Sequence, residues 1–195
     1  MSAKNVIHSK ALIICLMASI WPGMTIGNLP VQGWSDDTIP SRLRKQGNAT
    51  QLIVDGKPFL ILGGELGNSS ASDLEYMKPI WPKLVTMNLN TILVPVYWEL
   101  IEPEEGQFDF ALVDSLIRDA RHYNLRLVFL WFASWKNSMS CYAPYWVKTN
   151  LERFPRARDK EGNGMEILSA FSHENRDADA RAFTTLMRHI REVDG

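Results

Sequence analysis

Apolar residues recur along this chain in two distinct periods. Between about Phe110 and Tyr123, Leu112, Leu116, Ile117 and Ala120 repeat at helical spacing and predict a helix. Asp177 to Val193 repeats the pattern, with Ala180, Phe183, Leu186, Met187 and Ile190 on one face. Residues 91 to 96 and Leu125 to Phe132 are instead short, continuous apolar runs, the second broken only by Arg126. Continuous runs of that length suit parallel strands covered on both faces. Leu52-Ile53-Val54 and Phe59-Leu60-Ile61-Leu62 flank Asp55-Gly56-Lys57, and Asp-Gly between apolar runs predicts a β-hairpin.

Polar punctuation divides these elements. Residues 28 to 48 are polar and contain Pro30 and Pro40, which predicts a linker or extended arm. Gly63-Gly64-Glu65 ends the second apolar run, where glycines let the backbone bend or be approached closely. Ser72-Asp73-Leu74-Glu75 reads as a capping box, with Ser72 capping a helix to about Met87 that Pro79 and Pro82 kink or split. Residues 134 to 172 form a long segment with a short helix near Pro144 to Lys148. Hairpin, helix, strand, helix, strand, long segment and helix make an α/β order with a parallel sheet. That order opens either a doubly wound sheet or an eight-stranded barrel. No Gly-x-Gly-x-x-Gly turn or Gly-x-x-x-x-Gly-Lys-Ser/Thr loop is present, so neither dinucleotide nor phosphate-loop chemistry is indicated.

The start of the chain changes the compartment. Lys4 and Lys10 precede or border the apolar run Ala11 to Ile20, which is too short to span a bilayer and is followed by Trp21-Pro22-Gly23. Residues 1–27 are expected to be a signal peptide of a secreted or periplasmic protein, with no stable membrane anchor. Cleavage near Gly27 removes Cys15 and leaves Cys141 as the lone cysteine, which excludes an intrachain disulfide. Asn48-Ala49-Thr50 and Asn68-Ser69-Ser70 are glycosylation sequons. The net charge is -1, which argues against nucleic acid as a partner, and Arg153, Arg156, Arg158 and Lys160 read as a solvated polar loop. His8, His122, His173 and His189 are scattered without ligand spacing, so no metal or other cofactor is implied.

Candidate chemistry gathers at three strand ends: Glu65 with Asn68 and two serines; Tyr97, Trp98, Glu99 and Glu102; and Trp131, Ser134, Trp135, Lys136 and Asn137. Carboxylates, amides and indole rings in one cleft are what a sugar demands, because its hydroxyls need polar partners and its apolar face packs on a ring. Singly, each residue has a plainer role: Trp131 as core, and Glu102, Glu104 and Glu105 as solvated turn residues or helix-start charges.

Trp98-Glu99-Leu100-Ile101-Glu102-Pro103-Glu104-Glu105-Gly106-Gln107-Phe108-Asp109-Phe110 resembles the Trp-x-x-x-x-Glu-Pro-x-x-Gly-x-Phe-x-Phe pattern of β-galactosidase-type glycoside hydrolases of families 35 and 42. Gly63-Gly64-Glu65 with Asn68-Ser69-Ser70, and Trp131 to Ser138, resemble a bacterial branch of family 35. The resemblance covers roughly residues 50 to 195. It implies a (β/α)8 TIM barrel and retaining hydrolysis of terminal β-D-galactosides in oligo- or polysaccharides. A retaining mechanism needs two carboxyl groups about 5 Å apart. In the family these are glutamates at the ends of the fourth and seventh strands, the first in an Asn-Glu pair that does not occur here after the third strand. The expectation is therefore the N-terminal portion of such a barrel: about three βα units preceded by a β-hairpin, with 28–48 as arm and 49–195 as a partial domain that stops before the fourth strand.

On that expectation no catalytic residue lies in this chain, and the acid/base and nucleophile follow Gly195. Glu65, Trp98, Glu99, Trp135 and Asn137 are expected to bind a carbohydrate substrate. Trp98-Glu99 replaces the Trp-Asn of many relatives, and Ser134 stands where many carry a substrate-contacting Glu, so sugar preference is open. A complete eightfold barrel takes about 250 residues, so this chain by itself is expected to be poorly folded and catalytically silent. Two other readings stand: a non-catalytic carbohydrate-binding or degenerate remnant protein, and a complete small doubly wound α/β domain with residues 134–172 as a lid.

Overall fold

The computed structural model describes residues 41–137 and 139–194; the expected signal peptide and most of the expected arm lie outside them. The described residues form a mixed α/β structure. Strand β1, Arg42–Gln46, pairs antiparallel with β2, Ala49–Val54. The end of the expected arm is thus a strand. Every β1 residue is exposed, so no alternation marks it in the sequence. A backbone ladder through a turn at Gly47, φ 60, holds it in place.

Strand β2 turns through Asp55 (φ 50) and Gly56 (φ 76) into β3, Lys57–Pro58. Two positive φ values in a two-residue loop make the turn that matches strand twist. The second apolar run does not continue the hairpin. Pro58 has no N–H to extend the ladder, and after one further bond, Phe59 N–H to Leu52 O at 2.8 Å, the chain leaves for the next sheet. Asn90 secures that crossing, donating from Nδ2 to Leu60 O (2.8 Å) and accepting the Leu62 N–H (2.9 Å).

Strands β4 (Gly63–Glu65), β5 (Thr91–Tyr97) and β6 (Arg126–Phe132) form a parallel sheet in that order. Glu65 lies opposite Leu93, and Tyr97 opposite Phe132. A 3-10 turn, Ser70–Ser72, and helices α1 (Leu74–Met77) and α2 (Trp81–Thr86) connect β4 to β5. The helix expected up to Met87 is therefore two pieces, divided around the prolines. The cap is Asp73 rather than Ser72. Asp73 Oδ1 accepts the N–H groups of Glu75 (2.8 Å) and Tyr76 (3.3 Å), while Ser72 Oγ donates to Ser69 O (2.8 Å) and is spent on the 3-10 turn. Glu75 pairs forward with Lys78 instead of reaching back.

Helix α3 (Trp98–Ile101) follows β5 without a loop, and α4 (Ala111–His122) returns. After β6 come α5 (Tyr145–Lys148), an antiparallel hairpin of β7 (Arg156–Arg158) and β8 (Gly164–Leu168), and α6 (His173–Asp194). The hairpin was not predicted. Among the described residues no helix is long and apolar enough to cross a membrane.

The main core packs Ile92, Val94 and Val96 of β5 with Val113, Leu116 and Ile117 of α4 and Leu186 and Ile190 of α6. A second cluster joins Trp98, Ala133, Val147, Phe154, Ala178 and Ala182. Helix α6 is rotated from its expected face: Ala178, Ala182, Leu186 and Ile190 are buried at strict i, i+4 spacing, and Ala180 is exposed. Two small alanines let α6 approach the large rings of Trp98 and Phe154. The far end of α6 is clipped to α4 by His189 Nε2 and Asp114 Oδ1, 2.6 Å apart, and by an Arg121–Asp194 ion pair.

Candidate functional site

Parallel pairing brings the carboxyl ends of β4, β5 and β6 to one edge, and the sequence elements singled out above follow those ends. Strand β4 ends on Glu65, which is exposed. Gly64 before it allows close approach rather than a bend, because a Cβ there would meet Leu89 Cδ1 at 3.0 Å. Strand β5 ends on Tyr97, packed at 6.0 Å on Phe132 and at 5.5 Å on Tyr142. Burial pushes the Tyr97 phenol up to about 12, against the pull of the nearby Ala71 backbone.

Trp98 points into the second core cluster. It is fully buried, its indole N–H donates to Glu102 Oε2 at 2.8 Å, and its ring meets Trp146 edge-on at 5.8 Å. Trp98, expected to bind substrate, has packing contacts and a hydrogen bond to Glu102 among the described residues. Glu102, a candidate for chemistry whose plainer reading is a solvated turn residue, is also fully buried. Its Oε1 accepts the Gly106 N–H (2.8 Å) and Arg181 Nη2 (3.1 Å), and its carbonyl accepts the Trp146 indole N–H (3.1 Å). The Glu-Pro-x-x-Gly segment thus wraps around its own carboxylate. Gly106 sits at φ 78, a conformation that only glycine adopts freely.

Buried charge is tolerated when it is paired and hydrogen-bonded. Arg181 supplies the pairing from α6 and also lies 3.8 Å from Glu105. Glu105 receives both terminal nitrogens of Arg153 at 2.8 and 2.9 Å, and Arg153 Nε reaches Glu174 at 3.0 Å. Hydrogen bonding by Arg153 holds the Glu105 carboxyl below its ordinary value. The basic cluster is therefore not a purely solvated loop: Arg153 ties the acidic turn to α6, and Arg158 donates to Gly162 O at 2.7 Å.

Glu99 begins the exposed side of the edge. Its Oε2 accepts from Lys148 Nζ at 3.0 Å, and the same ammonium donates to Cys141 O at 2.9 Å. The Glu99 N–H donates to Tyr142 O at 3.0 Å. Beyond β6, Asp179 accepts the Trp131 indole N–H (2.7 Å) and the Ser134 N–H (3.1 Å), which fixes the strand's exit. Trp135 then projects with 64% of its surface exposed. Asn137 is exposed in a left-handed turn (φ 54) closed by the Lys136–Met139 bridge. Asn tolerates that conformation better than most residues. Lys136 Nζ lies 4.1 Å above the Phe132 ring.

Glu65, Glu99, Trp135 and Asn137 thus follow or end strands on the carboxyl side of the sheet, with Glu65 level with Leu93 and so four residues before the end of β5, while Trp98 lies in the second core cluster. Sequence reasoning missed Lys148, Asp179 and Arg181. The signal for a cation was the acidic turn itself, but Arg181 lies 79 residues from Glu102 along the chain. Among the described residues no three His, Cys, Asp or Glu side chains gather as a metal site. An exposed indole face, carboxylate acceptors and an ammonium at one edge can stack on and hydrogen-bond to a polar ligand.

No protein-family model matches the chain. It is 39% identical over 82 residues to a β-galactosidase of Xanthomonas manihotis, a stretch that is 40% of this chain and 14% of the relative. It is 26% identical over 125 residues to β-galactosidase 11 of Arabidopsis thaliana, 58% of this chain and 14% of the relative. Its fold matches part of the exo-β-1,4-mannosidase Op5Man5 from Opitutaceae bacterium strain TAV5. That match has a TM-score of 0.52 at 16% identity and covers 72% of this chain and 24% of that one. The proteins to which this chain is similar are glycosidases, and the similarity spans about one seventh of the length of the curated relatives named here.

Proposed function

We propose that these residues are the opening part of a (β/α)8 glycoside hydrolase that removes terminal β-D-galactosyl units from oligo- or polysaccharides outside the cytoplasm. The observation that carries this reading is the parallel β4-β5-β6 sheet, which brings three separate sequence motifs to its carboxyl edge. In barrels of alternating strands and helices that edge is where substrates bind. The similarity to β-galactosidases supports the sugar, and the fold match to a mannosidase supports the architecture.

In this reading Glu65, Glu99 and Asn137 hydrogen-bond sugar hydroxyls, and Trp135 packs on the apolar face of a ring. Their work is binding and orientation. Proton transfer and nucleophilic attack fall to two carboxyl groups from later strands of the barrel. The buried Glu102 network holds the β5–α3 junction in register so that Glu99 is presented at a fixed position.

The test is hydrolysis of 4-nitrophenyl β-D-galactopyranoside, with the β-D-mannopyranoside beside it, by protein expressed from the complete reading frame. Turnover of the galactoside is expected. Turnover of the mannoside alone would replace the sugar and keep the reaction. Sugar binding without turnover of either would favour a non-catalytic binding protein.

A further inference from the structure

Glu99, in the first turn of α3, carries a partly exposed carboxylate whose charge must be balanced. Lys148, at the end of α5, balances it. Its ammonium spends one N–H on Glu99 Oε2 (3.0 Å) and one on Cys141 O (2.9 Å). An ammonium has three donors, so one remains. Glu99 Oε1 accepts nothing from the described residues, and both side chains are partly open, 35% for Glu99 and 27% for Lys148. The pair thus offers a free acceptor beside a free donor with no net charge. A hydroxyl both donates and accepts, so it can engage both atoms at once; an ammonium or carboxylate can use only one of them and is opposed by the other.

We infer that Lys148 has two roles: it presets Glu99, and with its remaining N–H it completes with Glu99 a two-atom seat for one hydroxyl of a neutral sugar. This rests on the carbohydrate reading above and specifies how that site holds its ligand. Cys141 O takes part as a fixed acceptor that stops the ammonium from following Glu99 into solvent, so the carboxylate is held without a rotamer search on binding. Lys148 was invisible to motif reasoning because it lies 49 residues from Glu99 on a separate short helix.

The experiment is a double-mutant cycle on protein from the complete reading frame. Dissociation constants for methyl β-D-galactopyranoside and methyl β-D-mannopyranoside are measured by calorimetry for wild type, K148M, K148R, E99Q and E99Q/K148M, with urea midpoints to confirm folding. A hydrogen bond to a charged group is worth roughly a tenfold change in affinity or more. K148M and E99Q are each expected to weaken binding about tenfold, and the double variant no more than either alone, because both disable one seat. K148R is expected to stay within about threefold of wild type, since it keeps the charge-assisted bond. Wild-type binding with K148M unchanged, or penalties that multiply in the double variant, would overturn the inference and leave the carbohydrate reading standing. No binding of either sugar by folded wild type would overturn both. A loss confined to K148M and K148R with lowered urea midpoints, E99Q being silent, would show a purely structural lysine.

Discussion

Replacing Glu102 by Gln keeps the shape of the side chain and removes its charge. In the native state its two oxygens take three donors: the Trp98 indole at 2.8 Å, the Gly106 amide at 2.8 Å and Arg181 Nη2 at 3.1 Å. An amide must turn its NH2 toward one side. Facing Arg181 and Gly106 it opposes two donors, so it will face Trp98 and leave that indole N–H unpaired in a fully buried site. The unpaired donor costs about 1–3 kcal/mol, and the loss of charge weakens the two surviving bonds by about 1 kcal/mol more. Arg181 is 43% exposed and regains water, which keeps the total below the about 3–5 kcal/mol seen when a wholly buried pair is broken. The expected cost of E102Q is therefore about 3 kcal/mol. Equilibrium urea unfolding reads it, followed by Trp fluorescence because Trp98 and Trp146 both bond to Glu102. With a slope of about 2 kcal/mol per molar urea, the midpoint falls by roughly 1.5 M. A midpoint within about 0.3 M of wild type, less than about 0.6 kcal/mol at that slope, would refute the reasoning, because the carboxylate would then do no more than an amide.

Three further outcomes follow from the geometry. Tyr97, pushed up from 10.0 to about 12 by burial, holds its proton longer folded than unfolded, so its contribution is complete below pH 10 and is lost as pH rises toward 12; absorbance titration at 295 nm should show a late step that Y97F removes. Glu105 is lowered by Arg153, so its contribution is complete above the ordinary value of 4.5 and fades as pH falls through the folded value; being exposed, it is worth under about 1 kcal/mol, and R153M should make the acid-side slope in urea midpoints shallower without removing it, because Asp159 and Asp177 are also held below their ordinary values. Asn137 occupies φ 54, so N137A should cost about 1 kcal/mol in thermal or urea unfolding while N137G costs less; reduced sugar affinity in N137G at unchanged stability would separate a ligand role from the turn role.

The elements that read clearly in the sequence are those whose burial is written as pattern. β5 and β6 are continuous apolar runs, α4 repeats every three to four residues, and Asp55-Gly56 adopts the turn that its composition demands. β1 and much of β8 are exposed, and β7 is a half-buried Arg-Ala-Arg; all three are held by backbone pairing, which leaves no hydrophobic trace. Helix α6 carries apolar residues on two adjacent stripes, and the choice between them falls to Ala178 and Ala182, small enough to admit Trp98 and Phe154. Ser72 and Asp73 are both good caps, and the preceding 3-10 turn uses up the serine. Trp98 and Glu102 were legible as motif residues, yet their inward direction depends on Arg181 and Trp146, which meet them only in the folded chain. The site edge was legible as three motifs after three strands; the ammonium of Lys148 beside Glu99 was not, because local spacing cannot show a contact made across 49 residues.

The central claim, that these residues open a glycosidase barrel whose catalytic carboxyl groups come from later strands, is tested most directly by reading the coding DNA past the codon for Gly195. The account predicts an open frame that continues into an apolar strand ending in Asn-Glu, with a second glutamate at a later strand end. A stop codon in intact flanking sequence, or a long continuation with no such pair, would contradict it.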